Sequence, residues 1–481
     1  MSQAATQKDE VIAYSNYLSL EIYEFLKDSY WGSGGYLNGA YLSPNETFTR
    51  SRWELILHNV YFPNYVRPVV SSHVNPLFQA NPNEEFKEDP RFEAFRENCD
   101  LYGLPFQGFV KRSARMAKLY GSNFTIVDNF PGEQISQSLQ DNLQDRILPF
   151  LINIPAAAVV NEKTILKTGG WAQFAYKIDH PTEAGKQAVK IWTPEIWSIE
   201  EENGRVIEQG ENAIGEVPVA GHFPYILENH NDITPISEFL QIAKANLRLY
   251  NMVAGRVNLE DRQSNSTLIY PGKIQSLVLS IKNALSFDAN GSHKPEFISP
   301  NPENLKNIIA SMQDIVGEIY RQAQLSHLQL GDLTQQSGAS KEWDFEITSQ
   351  ALRDFAKNTE FYQERVVRLF GKYINTNLGY SVDYPDRFTM TSVETELERA
   401  ISAIDLDFGP QGNGEVKKQA AKSMFNNSPD ALEVVEESID QQTEQNQESE
   451  KDISQGVITP NETEIEEEPE QDENEIEQES I

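Results

Sequence analysis

The sequence predicts an α+β fold in which an early region of helices and short strands is followed by three long helices. Between residues 122 and 228, runs rich in β-branched and aromatic residues alternate with Gly, Pro and Asn-Gly, a pattern typical of strands and turns. Later, three segments of roughly 30 residues carry apolar residues at i+3/i+4 spacing, which is the period of amphipathic helices. With 481 residues, of which 39% are hydrophobic, the chain can bury a sizeable core.

Three early segments are predicted as helices. Residues 8–28, 51–79 and 90–120 each carry apolar residues at helical spacing. The GSGG stretch at 32–35 lies between the first two. No strand precedes it, no Lys-Ser/Thr pair follows it, and the G-x-G-x-x-G spacing is absent. We therefore do not interpret it as a phosphate-binding loop.

Seven short runs then predict strands. They are FTIVDNF, AAAVVNE, WAQFAYKID, AVKIWTP, EIWSIEEENG, RVIEQG and EVPVAGHFPYI. The Asn-Gly pair at 203–204 separates two of these runs and predicts a β-hairpin turn. Residues 1–233 are therefore expected to form one α+β body.

The first long helix is expected over 234–264. Thr234 is a plausible N-cap, and Pro235 would occupy the first helical position, where its missing N–H costs nothing. Residues 265–301 follow as a compact insert whose pattern predicts a strand, a helix, an Asn-Gly turn and a second strand.

A second long helix, 302–330, begins with Asn301-Pro302. Together with the first it makes a helical hairpin with the insert at its tip. The apolar stripes of both helices are broad for an isolated hairpin. They fit helices that also pack against neighbours, including other subunits.

A polar loop, GDLTQQSGASK at 331–341, separates the second helix from a third over 342–375. Most helix connections in compact domains are shorter, and long loops without structure are usually functional or disordered. Residues 376–430 are predicted to form a smaller C-terminal region.

The net charge of −33 is unevenly distributed. Residues 431–481 contain 19 acidic residues and a single basic one, Lys451. This segment is predicted to be disordered because it cannot bury enough apolar surface to offset the entropy of ordering. A solubilising tail and a tail that docks on a basic partner both remain open.

The rest of the chain is acidic as well, with a net charge of −15. A protein that grips nucleic acid by neutralising phosphates is basic somewhere. The densest basic cluster is VKRSARMAK at 110–118, and such a cluster on a helix is more often a solvated face than a DNA site.

Several classes are disfavoured by simple sequence features. No run of 18 apolar residues predicts a membrane span, and the first residues lack the basic and apolar regions of a secretory signal. The single cysteine, Cys99, has no neighbouring base and is expected to be a buried bystander. The chain therefore fits a reducing compartment.

We find no pattern that predicts catalysis. DLDFG at 405–409 contains the letters of the kinase DFG motif, but the glycine-rich loop, strand lysine and HRD segment of kinases are absent from the sequence. No G-x-S-x-G occurs either. None of the histidines forms H-x-x-x-H or H-x-E, which makes a zinc site improbable. They are His58, His73, His180, His222, His230, His293 and His327. We expect no catalytic, cofactor-binding or metal-binding residue, and hence a structural or binding protein rather than an enzyme.

Over residues 10–425 the layout resembles the portal proteins (head-to-tail connectors) of tailed bacteriophages. The resemblance rests on the order of elements and on EFLKDSYWGSGGY, PISEFLQIAKANLRLYN and SGASKEWDFEITSQALRDFA. A short acidic-glycine turn, AIDLDFGPQGNG, then precedes a helical EVKKQAAKSMF. The individual motifs are loose, and it is their order that indicates the family.

The resemblance implies a portal-like fold. Its parts would be an α+β wing at 1–233, stem helices at 234–264 and 302–330, a clip at 265–301, a tunnel loop at 331–341, a long wing helix at 342–375, a wing end and small helical crown at 376–430, and a disordered acidic tail at 431–481.

It also implies function. Portals form rings, usually of twelve subunits, at one capsid vertex, and double-stranded DNA enters and leaves through the central channel. The tunnel-loop residues facing DNA would be Thr334, Gln335, Gln336, Ser337, Gly338 and Lys341. Candidate partner-binding residues of the clip would be Lys273, Lys282, Phe287, His293 and Lys294.

The expected partners are further copies of the chain, DNA, the large terminase, the head–tail adaptor, and the major capsid and scaffolding proteins, with no cofactor and no membrane. The location would be the virion, after assembly in the host cytoplasm. Two alternatives remain: another phage structural or scaffolding protein that forms no ring, and a nucleic-acid-processing or nucleotide-dependent enzyme. The enzyme would need a phosphate loop, a two-metal carboxylate cluster or a basic groove, none of which the sequence predicts.

Overall fold

The computed structural model describes most of the chain in two compact units, Met1–Thr389 and Met390–Ile481. The described residues are 19–43, 49–79, 81–129, 148–167, 170–225, 233–264, 267–269, 296–298, 301–325, 338–385, 388, 409–425 and 434–445. The first unit combines helices with antiparallel sheets, so the fold is α+β, as predicted.

The first unit begins with six helices: α1 (Leu20–Trp31), α2 (Gly35–Asn38), α3 (Arg50–Asn59), α4 (Val66–Val74), α5 (Pro90–Glu97) and α6 (Phe106–Tyr120). The helix predicted over 8–28 is interrupted at Ser19, which caps α1, and residues 8–18 lie outside the described residues. The Ser19 hydroxyl accepts a hydrogen bond from the Ile22 N–H at 3.2 Å, which satisfies a donor that a continuing helix would have used.

The helices predicted over 51–79 and 90–120 are each two helices. In the first case Pro63 lies in the break after α3, where it cannot donate a helical hydrogen bond. In the second case the chain has positive φ at Leu101 and Gly103. Pro105 then disfavours a helical conformation for the residue before it, so α6 begins only at Phe106.

The strands of the early region are β1 (Asn83–Glu85), β2 (Asn123–Asp128), β3 (Phe150–Pro155), β4 (Ile165–Lys167), β5 (Gly170–Asp179), β6 (Gln187–Trp192), β7 (Ile196–Glu200), β8 (Val206–Glu211) and β9 (Val219–His222). All of them except β1 form a three-stranded sheet in the order β3-β2-β9 and a five-stranded sheet in the order β4-β5-β6-β7-β8. All of these pairs are antiparallel.

The hairpin predicted at Asn203-Gly204 is confirmed. It joins β7 to β8, and Gly204 has a φ of +87°, which explains why glycine occupies this turn. The strand predicted over AAAVVNE is wrong. Residues Ala156–Ala158 form one 3₁₀ turn, and only Val159 makes a bridge, to Tyr176.

The later elements of the first unit are α7 (Phe239–Ser264), β10 (Thr267–Ile269), β11 (Glu296–Ile298), α8 (Pro302–Gln322), α9 (Gly338–Tyr373) and β12 (Ser381–Asp383). The C-terminal half of α9 is buried between α5 and α6 on one side and β2, β3 and β9 on another. Phe370 and Val366, with no exposed surface, pack in one cluster with Phe95 and Phe109.

Polar side chains on α9 are satisfied inside the unit. His222 of β9 stacks on Tyr362, with ring centroids 4.2 Å apart. Its two ring nitrogens lie 3.0 Å from the Ser113 hydroxyl and 3.1 Å from the Thr359 hydroxyl. Burial lowers the pKa of His222 to about 3, so the imidazole is neutral in the folded protein at neutral pH.

A second polar cluster joins the two-stranded sheet of β1 and β12 to α9. The Glu84 carboxylate, with 8% of the side chain exposed, accepts hydrogen bonds from Tyr380 at 2.8 Å and Gln363 at 2.9 Å, and pairs with Arg96 at 2.6 Å. Burial and this carboxylate raise the pKa of Tyr380, which keeps the phenol protonated as a donor. The sheet and the helix are thus fixed through one carboxylate.

In the second unit, α10 (Gly409–Phe425) is followed by a helix over 434–445, here α11. An ion pair joins the two helices, with the Lys418 Nζ 2.5 Å from the Asp440 Oδ1. A Cβ at Gly414 would lie 2.6 Å from the Thr443 hydroxyl, so glycine permits the close approach. The GPQGNG residues predicted as a turn belong to the start of α10.

The disorder predicted from residue 431 onwards is therefore wrong for 434–445. The average charge of 431–481 conceals two apolar residues, Val435 and Ile439, which are half-buried one helical turn apart. Residues 446–481 lie outside the described part of the chain.

Replacing Glu84 with Ala is expected to destabilise the first unit. Each buried donor left without its acceptor costs about 1–3 kcal/mol, so the midpoint of urea unfolding should fall clearly. Glu93→Ala is the matched control, because Glu93 pairs with the same Arg96 at 3.3 Å from an exposed position. It should cost less than about 1 kcal/mol. Equal losses in the two variants would contradict this account.

Stability is expected to fall as the pH drops from about 6.5 towards 3. The depressed pKa of His222 means that the unfolded chain binds a proton in this window and the folded chain does not. The free energy of unfolding is expected to change by about 1.4 kcal/mol per pH unit for one such group. We expect His222→Gln to remove this part of the slope in urea titrations at several pH values. The exposed His58→Gln variant is the matched histidine control.

Candidate functional site: the helical hairpin of α7 and α8 and the start of α9

Helices α7 and α8 pack against each other and carry the paired strands β10 and β11 between them. The register is antiparallel, with Thr267 opposite Ile298 and Ile269 opposite Glu296. The chain thus leaves along α7, turns in the segment between, and returns along α8. The candidate clip residues Lys273, Lys282, Phe287, His293 and Lys294 lie outside the described residues.

Helix α7 begins at Phe239, five residues later than predicted. The predicted N-cap Thr234 is instead bonded to Asn161, whose amide nitrogen lies 2.9 Å from the Thr234 hydroxyl. The Ser237 hydroxyl accepts from the Phe239 N–H at 3.0 Å. Lys118 of α6 pairs with Glu238 at 2.7 Å. Tertiary bonds therefore override the local capping signal at residues 234–235.

The first half of α7 is fixed to the N-terminal helices by side-chain amides. The Asn246 carbonyl accepts from the Tyr65 N–H at 2.7 Å, and its NH₂ donates to the Pro63 carbonyl at 2.9 Å. Further along, Arg52 of α3 donates to the Asn258 side chain at 2.8 Å and pairs with Asp261. The N-terminal helices therefore hold α7 at Asn246 and again at Asn258 and Asp261, nearer its end at Ser264.

Helix α8 begins as predicted and ends early. The Asn301 side chain accepts from the Glu303 N–H at 3.0 Å, which makes it the N-cap. The helix ends at Gln322 rather than at 330, because Gln324 adopts a φ of +57°. His73 reinforces this end: its Nε2 lies 2.8 Å from the Ala323 carbonyl oxygen.

Among the described residues, the apolar stripe of α8 is only partly covered. Ile319, near the base of the hairpin, is fully buried. Towards the tip the stripe stays only half-buried. Its residues are Leu305, Ile308, Ile309, Met312, Ile315 and Val316. An amphipathic face wider than its single partner helix indicates a surface that another molecule covers.

Helix α9 begins at Gly338, four residues before the predicted start at 342. Gly338 and Lys341, predicted to lie in the loop, belong to its first turn. Helix-favouring residues in ASKEWDFE explain the earlier start. Thr334, Gln335, Gln336 and Ser337 lie outside the described residues. Leu325, the last described residue before the connection from α8 to α9, is buried at the base of the hairpin.

The basic run at 110–118 is used inside the fold. Lys118 is 7% exposed and pairs with Glu238, Arg112 lies 3.7 Å from Asp100, and Lys111 lies over the Phe78 ring at 5.7 Å. Three of the four cations in the run are therefore engaged by the protein's own groups, and the fourth is Arg115.

One cluster of potential metal ligands was missed by sequence reasoning, because its members are separated along the chain. His180, Glu183 and Glu201 place ligand atoms within 4.8 Å of one another. However, the Nδ1 of His180 accepts from the Glu183 N–H at 3.1 Å, so the proton of the neutral imidazole sits on Nε2. Glu183 also pairs with Lys186 at 2.5 Å. The donor set does not fit a metal ion.

Cys99 is buried, as predicted, and its thiol donates to the Leu104 carbonyl at 3.3 Å. Burial raises the pKa of this thiol to about 12, so the reactive thiolate is suppressed at neutral pH. A nucleophilic role for Cys99 is thereby disfavoured.

Within the part of the chain that the structure describes, no helix is both long and apolar enough to cross a membrane.

Comparisons with known proteins give structural similarities only. No family model matches the chain, and no curated protein matches it. A chain in a structure of the virion of a native gene transfer agent particle is 11% identical, with 79% of this chain and 96% of that chain covered and a TM-score of 0.42. A chain from the neck of an empty gene transfer agent particle is 11% identical, covering 77% and 94%, with a TM-score of 0.40.

The base of the helical hairpin should be far more sensitive to truncation than its outer part. Ile319→Ala removes fully buried volume and is expected to cost about 2–5 kcal/mol of unfolding free energy. Ile309→Ala, at a half-buried position, should cost clearly less in the dissociated chain. Urea unfolding at low protein concentration would measure both. A larger loss for Ile309→Ala would show that the outer stripe is already covered within one chain.

Proposed function

We propose that this chain is a phage portal-type protein, which forms a ring-shaped channel for double-stranded DNA at the capsid vertex. The observation that carries the proposal is the helical hairpin of α7 and α8, whose base is fixed in an α+β body and whose outer apolar stripe is only half-buried by the described residues. In a ring, the hairpins of neighbouring copies cover that stripe.

The charge of the chain supports the same proposal. A channel through which DNA slides must not hold it, because each phosphate paired with Lys or Arg adds salt-dependent affinity. Within the basic run at 110–118, Arg112 and Lys118 pair with the protein's own carboxylates, and the net charge is −33. An acidic lining would give DNA little to bind.

The remaining parts follow from this proposal. Residues 331–337 and the first turn of α9 would line the narrowest part of the channel, and the insert at 265–301 would contact the large terminase and later the head–tail adaptor. Capsid and scaffolding proteins would surround the body in the virion. The protein would work without catalysis, cofactor or metal.

The first experiment is negative-stain electron microscopy of the purified protein, with and without scaffolding protein. Rings with a central hole and about twelvefold symmetry are expected, because an uncovered interface that is not self-complementary closes into a ring. Particles that stay monomeric at high concentration with scaffold would contradict the proposal. Open or irregular oligomers would favour a structural protein without a ring, and hydrolysis of ATP by the purified protein would favour an enzyme.

Deleting residues 334–337 is expected to leave ring formation unchanged and to reduce the DNA retained in filled particles. The deletion stops before Gly338, where α9 begins, so the helix is preserved. Retention would be measured as nuclease-protected DNA after packaging. A matched substitution of the same four residues by Gly-Ser-Gly-Ser keeps the loop length and tests whether side chains or length matter. Normal retention in both variants would show that the loop only connects two helices.

A further inference from the structure

A groove of about 700 Å³ lies at the C-terminal end of α9. Its walls combine an apolar floor with charged groups. The lining includes the apolar residues Ile214, Val367 and Leu378, the cations Arg368 and Lys372, and the carboxylate of Glu364. A mixed lining of this kind suits a ligand with both apolar and charged parts.

Positive charge exceeds negative charge around this groove, which is unusual in so acidic a chain. Glu216 is shared by three cations: Arg365 at 2.9 Å, Arg368 at 3.1 Å and Lys372 at 2.7 Å. Arg368 and Lys372 keep 50% and 39% of their side chains exposed. The lining itself carries two cations, Arg368 and Lys372, and one carboxylate, Glu364. With Arg365 and Glu216 beside it the balance is three cations to two carboxylates, so the groove favours an acidic partner.

The β7–β8 hairpin has the complementary character. Its sequence holds one basic residue, Arg205, and five glutamates, of which Glu200 pairs with Lys163. The other four are Glu201, Glu202, Glu208 and, at the far end of β8, Glu211. All except Glu201 are exposed. Val206, 47% exposed, adds an apolar side chain near the tip. The strand β8 is the edge of its sheet, so the hairpin presents one open side.

The hairpin of one chain is too far from the groove of the same chain. The groove is lined by residues 213–214, which follow the end of β8 at Glu211, whereas the tip at 201–205 precedes its start at Val206. A strand of six residues spans about 20 Å. A rigid strand pair holds the two features at opposite ends, so any contact between them requires a second copy.

We infer that the acidic tip of the β7–β8 hairpin of one copy docks into the basic groove beside Arg368 and Lys372 of a second copy. This inference rests on the proposed ring, because it names a contact between neighbouring subunits. The contact uses two different surfaces and is therefore heterologous, the type that closes into a ring or continues as a filament. Glutamates would meet Arg368 and Lys372, while Val206 would lie on the floor of Ile214 and Leu378.

Charge reversal with rescue tests the docking. Glu202→Lys with Glu208→Lys on the hairpin, or Arg368→Glu on the groove, should each weaken self-association about tenfold, as expected for losing a close charge pair. Combining both sets in one chain should recover most of the loss. Association would be measured by sedimentation across protein concentrations. Glu93→Lys, an exposed reversal outside both surfaces, is the control and should change nothing.

Disulfide trapping tests the geometry. Chains carrying Glu202→Cys and chains carrying Glu364→Cys are mixed and oxidised, and a disulfide dimer between unlike chains is expected. The buried Cys99 should not compete, because its pKa is raised to about 12. A cysteine at the exposed Asn307 of α8 replaces Glu202→Cys in the control mixture and should give no dimer with the groove.

The outcomes separate the two proposals. Rings that form normally in both reversal variants, without trapping, would overturn the docking and leave the portal proposal standing. Trapped dimers or filaments with charge rescue, but no rings, would support the docking and overturn the ring. Loss of association without rescue in the combined variant would also overturn the docking, since the charges would then act separately.

Discussion

The structure of the first unit depends on burying α9, a helix of 36 residues, together with its polar side chains. Thr359 and Gln363 have no exposed surface, so each must find a partner inside the protein or cost free energy. His222 supplies one partner from the three-stranded sheet, and Glu84 supplies another from the two-stranded sheet. The same helix thus selects the positions of both sheets, and of the segments that follow them.

This constraint explains why the helical hairpin projects from a rigid base. The buried end of α8 packs at Ile319 in the same cluster as Phe355 of α9, and α7 is fixed by Asn246 to the N-terminal helices. Towards the tip α7 is still held by Arg52, which bonds to Asn258 and Asp261, whereas the apolar stripe of α8 stays half-buried. A firm base with an uncovered outer part is the arrangement expected of a chain that completes its packing with further copies.

The distribution of charged side chains also fits association between copies. Near α9 the cations are held in place by their own carboxylates, as in the cluster of Arg365, Arg368 and Lys372 on Glu216. Exposed glutamates lie instead along the β7–β8 hairpin, at 202, 208 and 211. Charges of opposite sign are therefore placed on two different surfaces of the first unit, which is the distribution that electrostatic complementarity between copies would use.

The sequence by itself determined the α+β class, the order of long helices, the Asn203-Gly204 turn and the cap at Asn301, because these depend on periodicity and on bonds within a few residues. Tertiary structure decided where helices begin and end. Thr234 bonds to Asn161 instead of capping α7. Pro63 and Pro105 lie in the breaks that divide two predicted helices. Tertiary structure also decided which polar groups meet, as at Glu216 with Arg365 and at Glu84 with Gln363, since partners more than a hundred residues apart along the chain leave no local signal.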